Sequence, residues 1–310
     1  MSTHNFGIAI HGGAGTILKS EMTPKKENNY KAALDKALQA GYDCLLVGKS
    51  SLLAVEAAII ELENSPLFNA GKGAVFNAKG QHEMDASIMD GNTLYAGAVA
   101  AVRNLKNPIS LATKVLHHSD HILLMGEGAG EFAKGFEIEF ESDEYFFDQH
   151  RYDQWQKIKG TDNFQLDHTK KDKKYLGTVG AVALDQEGNL AAGTSTGGMT
   201  NKKFGRIGDS ALIGLGTYAN NKTCAISCTG SGEYLMRAVT AYDVSCRMEY
   251  KGLSLEDAVN ESIMDRLTEI GGDGGLVAMD TNGNISMPFN CDGMYRASKN
   301  AHHSLVEIYR

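Results

Sequence analysis

The sequence predicts an α+β domain in which helices lie over antiparallel sheets, and three observations carry that class. Apolar segments flank a turn at Asp90-Gly91-Asn92 in "HEMDASIMDGNTLYAGAVAAV", which reads as a hairpin. Two further units, "GAVALDQEGNLAAGTS" and "GLVAMDTNGNISMPF", each show an apolar strand, an aspartate, a short Gly-Asn turn and a second strand. Amphipathic helices join these hairpins, which favours layers over a doubly wound sheet. The likeness of the two units is too short to make a repeat.

The remaining elements follow from local signals. Phe6 to Ile10 is an apolar run ending in "HGGAG", read as a strand entering a tight turn. Thr23-Pro24 supplies an N-cap and a proline at the first helical position, and Tyr30, Ala33, Leu34, Ala37 and Leu38 continue a helical stripe. A second helix is expected from Ser51 to Leu62, where Leu52, Val55, Ile59 and Leu62 share a face. Asn107 to Leu116 and Gly126 to Ala133 read as helices, with "GEGAG" as a helix-entry turn. From Glu137 to Lys174 the chain loses its period and becomes polar, aromatic and charged, so a helical piece and then a mobile arm over about residues 150–177 are expected. Ser254 with Asp257 forms a capping box at the head of "LSLEDAVNESIMDRL".

Composition narrows the function. The chain of 310 residues carries 42% hydrophobic and 22% charged residues, the balance of a globular enzyme and not of a disordered chain. A formal net charge of -8 gives no reason to expect nucleic acid, and the basic run Lys170 to Lys174 has no interleaved aromatics for stacking on bases. Five cysteines without framework spacing, and a first segment without a basic-then-apolar leader, fit a reducing cytoplasm. No stretch is apolar enough to span a membrane. Glycine is the outlier, at 35 of 310 residues against a usual share of about 7%. The glycines gather in "HGGAG", "NAGKG", "STGG", "TGSG" and "GGDGG", as backbone lining a site would.

Several chemistries lack support. "HGGAG" has neither the dinucleotide fingerprint nor the lysine of a phosphate loop. His117, His118 and His121 beside Asp120 do not space as a metalloprotease motif, and Cys224 with Cys228 has no second pair. What remains are hydroxyls in glycine-rich places: Thr178, Thr194, Ser195, Thr196, Thr229 and Ser231. A threonine hydroxyl needs an adjacent base, and the α-amine of an N-terminal threonine is one, titrating at about 7.7 to 8.0. Cutting Gly177-Thr178 would create that amine. Glycine 177 lets its carbonyl be approached closely, yet a threonine after glycine at a strand start serves packing equally well.

Over nearly its whole length the chain resembles the plant-type L-asparaginase and isoaspartyl peptidase family of N-terminal-nucleophile hydrolases. The likeness runs through "IAIHGGAG", "LFNAGKGAVF", "HEMDASIMDG", "GTVGAVALD", "TSTGGMTNKKFGRIGDS", "CTGSGE" and "MPFNCDGMYRA", in that order. It implies a four-layer αββα fold, self-cleavage at Gly177-Thr178 into parts 1–177 and 178–310 of one domain, and a dimer of cleaved protomers. The resemblance makes Thr178 the nucleophile, Thr196 its neighbour, and Thr229 with Gly230 the oxyanion hole. Arg206 and Asp209 then grip the α-carboxylate and α-amine of an amino-acid or dipeptide substrate, with Gly232 touching the amine and Asn69 near the nucleophile. No catalytic cofactor is implied. A structural sodium is, on the backbone carbonyls of Leu62, Glu63, Ser65, Phe68, Ala70 and Lys72, where the Lys72 ammonium would oppose a nearby cation.

The chemistry is coherent beside the likeness. Arg206 offers a planar fork for a carboxylate and Asp209 an acceptor for an ammonium; from sequence alone the same pair reads equally as a surface salt bridge. Two rivals remain: a glycosylasparaginase, whose branch usually has aspartate before the threonine where this chain has Gly177, and a non-catalytic amino-acid-binding protein of the same fold.

Overall fold

The computed structural model describes residues 5–161 and 177–310. In chain order the named elements are β1 (Gly7–Gly15), α1 (Pro24–Leu46), α2 (Ser51–Glu63), β2 (Met84–Asp90), β3 (Ala96–Val102), α3 (Pro108–His118), β4 (Leu123–Met125), α4 (Gly126–Ala133), α5 (Asp143–Phe146) and α6 (Gln149–Ile158). After the undescribed stretch come β5 (Val179–Leu184), β6 (Leu190–Thr196), β7 (Thr217–Ala219), β8 (Cys224–Gly230), α7 (Gly232–Ala238), α8 (Thr240–Lys251), α9 (Leu255–Asn260), β9 (Gly274–Asp280), β10 (Ile285–Ser286), β11 (Gly293–Asn300) and β12 (Ser304–Glu307).

Local chemistry sets the helix boundaries. Thr23 Oγ1 accepts from Lys26 N ahead of Pro24, Ser50 Oγ accepts from Leu53 N, and Ser254 Oγ accepts from Asp257 N. Each satisfies an amide that the first turn would otherwise leave open. Asp257 Oδ2 accepts from the Ser254 hydroxyl at 2.7 Å, in place of the backbone amide that a capping box would use. α9 then widens into a π-helix over Glu261–Leu267.

Two sheets stack between helical layers, the αββα order that the family resemblance implies. The larger sheet runs β12-β11-β1-β5-β6-β2-β3-β4 and the smaller β10-β9-β8-β7; every pair is antiparallel except β3 with β4. Strand periodicity divides the core. In β5, Val179, Ala181 and Ala183 pack with Leu34, Leu38, Val55, Ile59 and Leu62 of α1 and α2, while Val182 and Leu184 face the smaller sheet. In β8, Ile226 and its buried neighbours Cys224 and Cys228 meet Leu235, Val244 and Val259 of the other helical layer, while Ala225 faces inward.

The inter-sheet layer changes character along its length. Ala9, Met89, Leu184, Leu190, Ala225 and Met279 make one end apolar. At the other, His11, Ser87, Thr194, Thr217 and Ser227 are all 0% exposed. Buried polar groups must find partners there, and this end adjoins Thr178.

Three local readings change. "HGGAG" is no tight turn: β1 runs on to Gly15, pairing β11 throughout, and the register shifts between His11 and Gly13. Paired flanks hold the segment extended while Gly13, at φ 113°, absorbs the bulge. "GEGAG" is the first part of α4 itself. The expected mobile arm from about 150 begins in helix: Asp148 caps α6 by accepting from Arg151 N, and Trp155 stacks on Phe76 at 5.6 Å. The rest of that arm, residues 162–176 with the basic run Lys170 to Lys174, lies outside the described residues.

Glu63 ties α2 to the larger sheet. Its Oε1 accepts from Ser195 Oγ at 2.6 Å and from Ile109 N at 3.1 Å, and among the described residues Oε2 has no partner. Burial pushes the carboxyl up to about 8, against those hydrogen bonds. The folded chain therefore keeps a proton that the unfolded chain releases in the ordinary glutamate range, so this group's contribution to stability falls as pH rises toward about 8. Glu63→Gln retains an oxygen for both donors, and urea midpoints at about pH 5 and about pH 8 should show a flatter decline than in the parent; parallel declines would contradict the assignment.

Candidate active site

Thr178 sits at the head of β5, in the middle of the larger sheet. Its neighbour Val179 pairs with Ser195, so the start of β5 lies against the end of β6 and Thr178 meets Thr196. The Thr178 hydroxyl donates to Thr196 Oγ1 at 3.2 Å. Thr196 Oγ1 also accepts from Gly198 N at 3.0 Å and donates to the Gly177 carbonyl at 3.3 Å. One hydroxyl thus touches both the oxygen of Thr178 and the carbonyl preceding it. The charge and proton count is satisfied, with two bonds accepted and one donated.

Asn69 is close to this junction but acts on backbone. Its Nδ2 donates to Gly198 O at 2.7 Å and its Oδ1 accepts from Val75 N at 3.1 Å. It packs on Gly177, where an added Cβ would lie 2.9 Å from the Asn69 Cβ. Asn69 holds the end of β6 and the entry to Thr178 instead of bonding to the hydroxyl.

The smaller sheet brings the next pair. Thr229 Oγ1 accepts from Ala14 N at 3.2 Å, which orients the hydroxyl and leaves its proton to donate elsewhere. Gly230, at φ 139°, closes β8 in a conformation other residues rarely adopt. A Cβ there would stand 2.5 Å from Asp273 O.

Arg206 and Asp209 face a cleft shared with Gly177, Thr178, Thr196 and Gly230. Arg206 is engaged by Glu233 in a two-pronged contact, Nε to Oε1 at 2.8 Å and Nη2 to Oε2 at 2.9 Å. Glu233 takes two of the five guanidinium N–H groups and fixes the plane of the fork. Asp209 is buried, and among the described residues its Oδ2 has no hydrogen-bond partner. Burial pushes its carboxyl up to about 7, against the pull of the Arg206 guanidinium. Gly232 lies between the two: a Cβ would come 2.7 Å from Arg206 Nη2 and 2.8 Å from Asp209 Oδ1.

The structure therefore brings Gly177, Thr178, Thr196, Arg206, Asp209, Gly230 and Gly232 together, with Asn69 and Thr229 directly behind. The expected cation loop is a separate place. A Cβ on Gly71 or Gly73 would overlap Glu63 O at 2.4 Å or Phe68 O at 2.0 Å, so the loop closes tightly on its own carbonyls. Leu62, Phe68 and Ala70 carbonyls each accept a backbone amide. The Lys72 ammonium lies 4.9 Å from the Tyr145 ring centroid, drawn to that ring. Among the described residues no group of three or more His, Cys, Asp or Glu side chains could hold a metal ion.

Sequence reasoning passed over three groups. Glu233 stands in the quoted "CTGSGE" but 27 residues from Arg206, and nothing local pairs them. Lys202 is buried under the cleft, 3.9 Å from both the Glu83 and the Asp85 carboxylates and bonded to Glu83 O at 3.0 Å. His11, in β1, donates from Nδ1 to Thr178 O at 3.0 Å and meets Ser227 Oγ through Nε2 at 2.9 Å. Its alternation with Ile10 into the inter-sheet layer was the available signal.

Comparison with known proteins places the chain. A family model described as Asparaginase matches residues 4–307. The chain is 50% identical to the isoaspartyl peptidase of Escherichia coli (strain K12) over 293 residues, covering 94% of this chain and 91% of that one. It is 42% identical to an isoaspartyl peptidase/L-asparaginase of Xenopus laevis, covering 97% and 94%. It is 41% identical to a plant-type L-asparaginase of Pyrococcus furiosus (strain ATCC 43587 / DSM 3638 / JCM 8422 / Vc1), covering 93% and 94%.

An ammonium-bearing ligand needs Asp209 ionised. Titration calorimetry with L-aspartate should therefore give an affinity that weakens as pH falls through about 7, by up to about tenfold per pH unit. An affinity independent of pH between about 5 and about 8 would contradict that role.

Proposed function

Because the chain belongs to the plant-type L-asparaginase and isoaspartyl peptidase family of N-terminal-nucleophile hydrolases, we propose that it is an autocleaving threonine hydrolase of β-aspartyl peptides and of the side-chain amide of L-asparagine. The observation that carries this reading is the Thr196 hydroxyl, bonded at once to Thr178 Oγ1 and Gly177 O, at the edge of a cleft holding Arg206 and Asp209.

In maturation the Gly177-Thr178 bond breaks, leaving parts 1–177 and 178–310 and a free α-amine on Thr178. That amine takes the proton of the Thr178 hydroxyl as its oxygen attacks the β-carbonyl of the substrate. Thr229, whose hydroxyl is oriented by Ala14 N, and the Gly230 amide stabilise the oxyanion. The C–N bond breaks as the amine returns the proton to the leaving nitrogen, releasing ammonia or an amino acid. Water then attacks the β-aspartyl ester and frees L-aspartate and Thr178. Arg206 holds the α-carboxylate and Asp209 the α-ammonium, so the β bond is the one presented to Thr178. Gly232, without a Cβ, lets both side chains pack against its backbone.

The working form in this reading is a dimer of cleaved protomers in the cytoplasm, consistent with five cysteines that are all unpaired. Among the described residues no helix is long and apolar enough to cross a membrane. A structural sodium would take the backbone carbonyls of Leu62, Glu63, Ser65, Phe68, Ala70 and Lys72, those of Leu62, Phe68 and Ala70 each already accepting one amide. Its part is to hold the loop closed, since its ligands are backbone groups and Thr178 is not among them.

Intact mass and N-terminal sequencing should find a fragment beginning at Thr178, and β-aspartyl-leucine and L-asparagine should both yield aspartate. Thr178→Ala should neither split nor turn over substrate. Thr229→Ala should lower kcat by about a hundredfold or more, the usual cost of one oxyanion donor. Cleavage at Gly177 in the Thr178→Ala protein, or hydrolysis confined to glycan-linked asparagine, would overturn the proposal.

A further inference from the structure

Thr178 is held from behind as well as from the cleft. His11, on β1, lies beside Gly180 of β5 in the ladder, Gly180 lies beside Thr194 of β6, and Thr194 beside Ser87 of β2. These four positions form one row across the larger sheet. From the facing sheet come Ser227 and Thr217, themselves paired across β8 and β7.

The hydrogen bonds zigzag between the two sheets. His11 Nε2 meets Ser227 Oγ at 2.9 Å, Ser227 Oγ meets Thr194 Oγ1 at 2.6 Å, Thr217 Oγ1 donates to Thr194 Oγ1 at 2.5 Å, and Ser87 Oγ donates to Thr217 Oγ1 at 2.8 Å. Ser87 Oγ also reaches the Ser210 carbonyl at 2.6 Å, one residue beyond Asp209. The chain thus connects the backbone of Thr178 with the turn bearing Asp209.

Proton counting gives the chain a direction. Thr178 O only accepts, so His11 Nδ1 must carry a proton to bond with it. His11 is fully buried, and burial lowers its pKa to about 3, so the ring is neutral and Nε2 accepts from Ser227. That uses the only Ser227 proton, so Thr194 donates to Ser227 and Thr217 to Thr194, while the single Ser87 proton is shared between Thr217 Oγ1 and the Ser210 carbonyl, which can only accept. Each donation polarises the next toward the imidazole, and aligned chains of this kind strengthen their terminal bond. That terminal bond is His11 Nδ1–H to Thr178 O. Gly180 makes room for it: a Cβ there would lie 2.0 Å from Ser227 Oγ and 2.5 Å from His11 Nε2.

Resting on the reading of Thr178 as nucleophile, we propose that His11 is a positioning residue, backed by the Ser227-Thr194-Thr217-Ser87 hydroxyl chain, which fixes the Thr178 carbonyl and so the direction in which its oxygen and freed amine face the cleft. His11 touches no substrate atom. Its effect falls on the rate of the bound complex and leaves the grip of Arg206 and Asp209 unchanged.

Two substitutions separate this from packing. An asparagine amide places an N–H where Nδ1 sits, whereas a glutamine amide reaches the place of Nε2 and leaves Thr178 O without its donor. In matured protein assayed with β-aspartyl-leucine, His11→Gln should lower kcat about tenfold, the worth of one buried hydrogen bond, with KM unchanged. His11→Asn should stay within about threefold of the parent. Thr217→Val, close in shape and not among the residues lining the cleft, should lower kcat about threefold at constant KM by interrupting the chain; it decides the matter if neither His11 variant folds. Equal losses in the Asn and Gln variants, KM moving with kcat, or an unchanged Thr217→Val protein would overturn the proposal while leaving an active parent enzyme. A parent that neither splits at Gly177 nor hydrolyses substrate would overturn the reading of Thr178 first.

Discussion

The attachment of Thr178 to a strand that cannot move is the constraint from which the rest of the site follows. β5 is bonded on one side to β1 and on the other to β6, and its two faces are buried against different layers. A residue at its head inherits that rigidity. Thr196 on β6 and His11 on β1 are then placed by ladder register alone, without a loop having to find them. A hydroxyl that must meet a carbonyl within a few tenths of an ångström is better mounted on such a scaffold than on a surface turn.

The opposite side of the cleft solves a different problem. Arg206 and Asp209 lie between strands, where backbone is less constrained, and their geometry is set by side-chain contacts. Glu233 holds the guanidinium plane, and Gly232 and Gly216 leave the Asp209 carboxylate room without covering it. Burial keeps that carboxylate close to its ionisation point. In the proposed reading an incoming ammonium supplies the charge that burial withholds, so recognition of an amino-acid backbone and ionisation of the site become one event. The loop near Phe68 serves the site indirectly, through Asn69, which grips the glycines following Thr196.

Much of this was readable before any coordinates. The caps at Thr23 and Ser254, the alanine-rich face of the second helix and the Gly-Asn hairpins are local signals, and local chemistry decides them. Of the glycine clusters, "STGG" and "TGSG" reach the cleft through Gly198 and Gly230, while "NAGKG" closes a loop apart from it. What failed were inferences that depend on neighbours distant in sequence. "HGGAG" looks like a turn in isolation and is held as a strand by β11 and β5. His11 finds its partners 167 and 216 residues away. Ser87 and Thr194 stand inside stretches of family likeness and Thr217 outside them, yet nothing local pairs the three; only the stacking of two sheets turns them into a connected chain. Thr178 itself was ambiguous between packing and chemistry until the family likeness gave Thr196, Arg206 and Asp209 a common purpose.

The central claim is that the base and the attacking oxygen belong to the same residue once the bond before it is broken. Selective acylation of the α-amine of Thr178 in the matured protein, confirmed by mass on the fragment that begins there, tests it directly. Hydrolysis of β-aspartyl-leucine should disappear while the circular dichroism spectrum stays that of the folded enzyme. Undiminished hydrolysis by fully blocked protein would contradict the account.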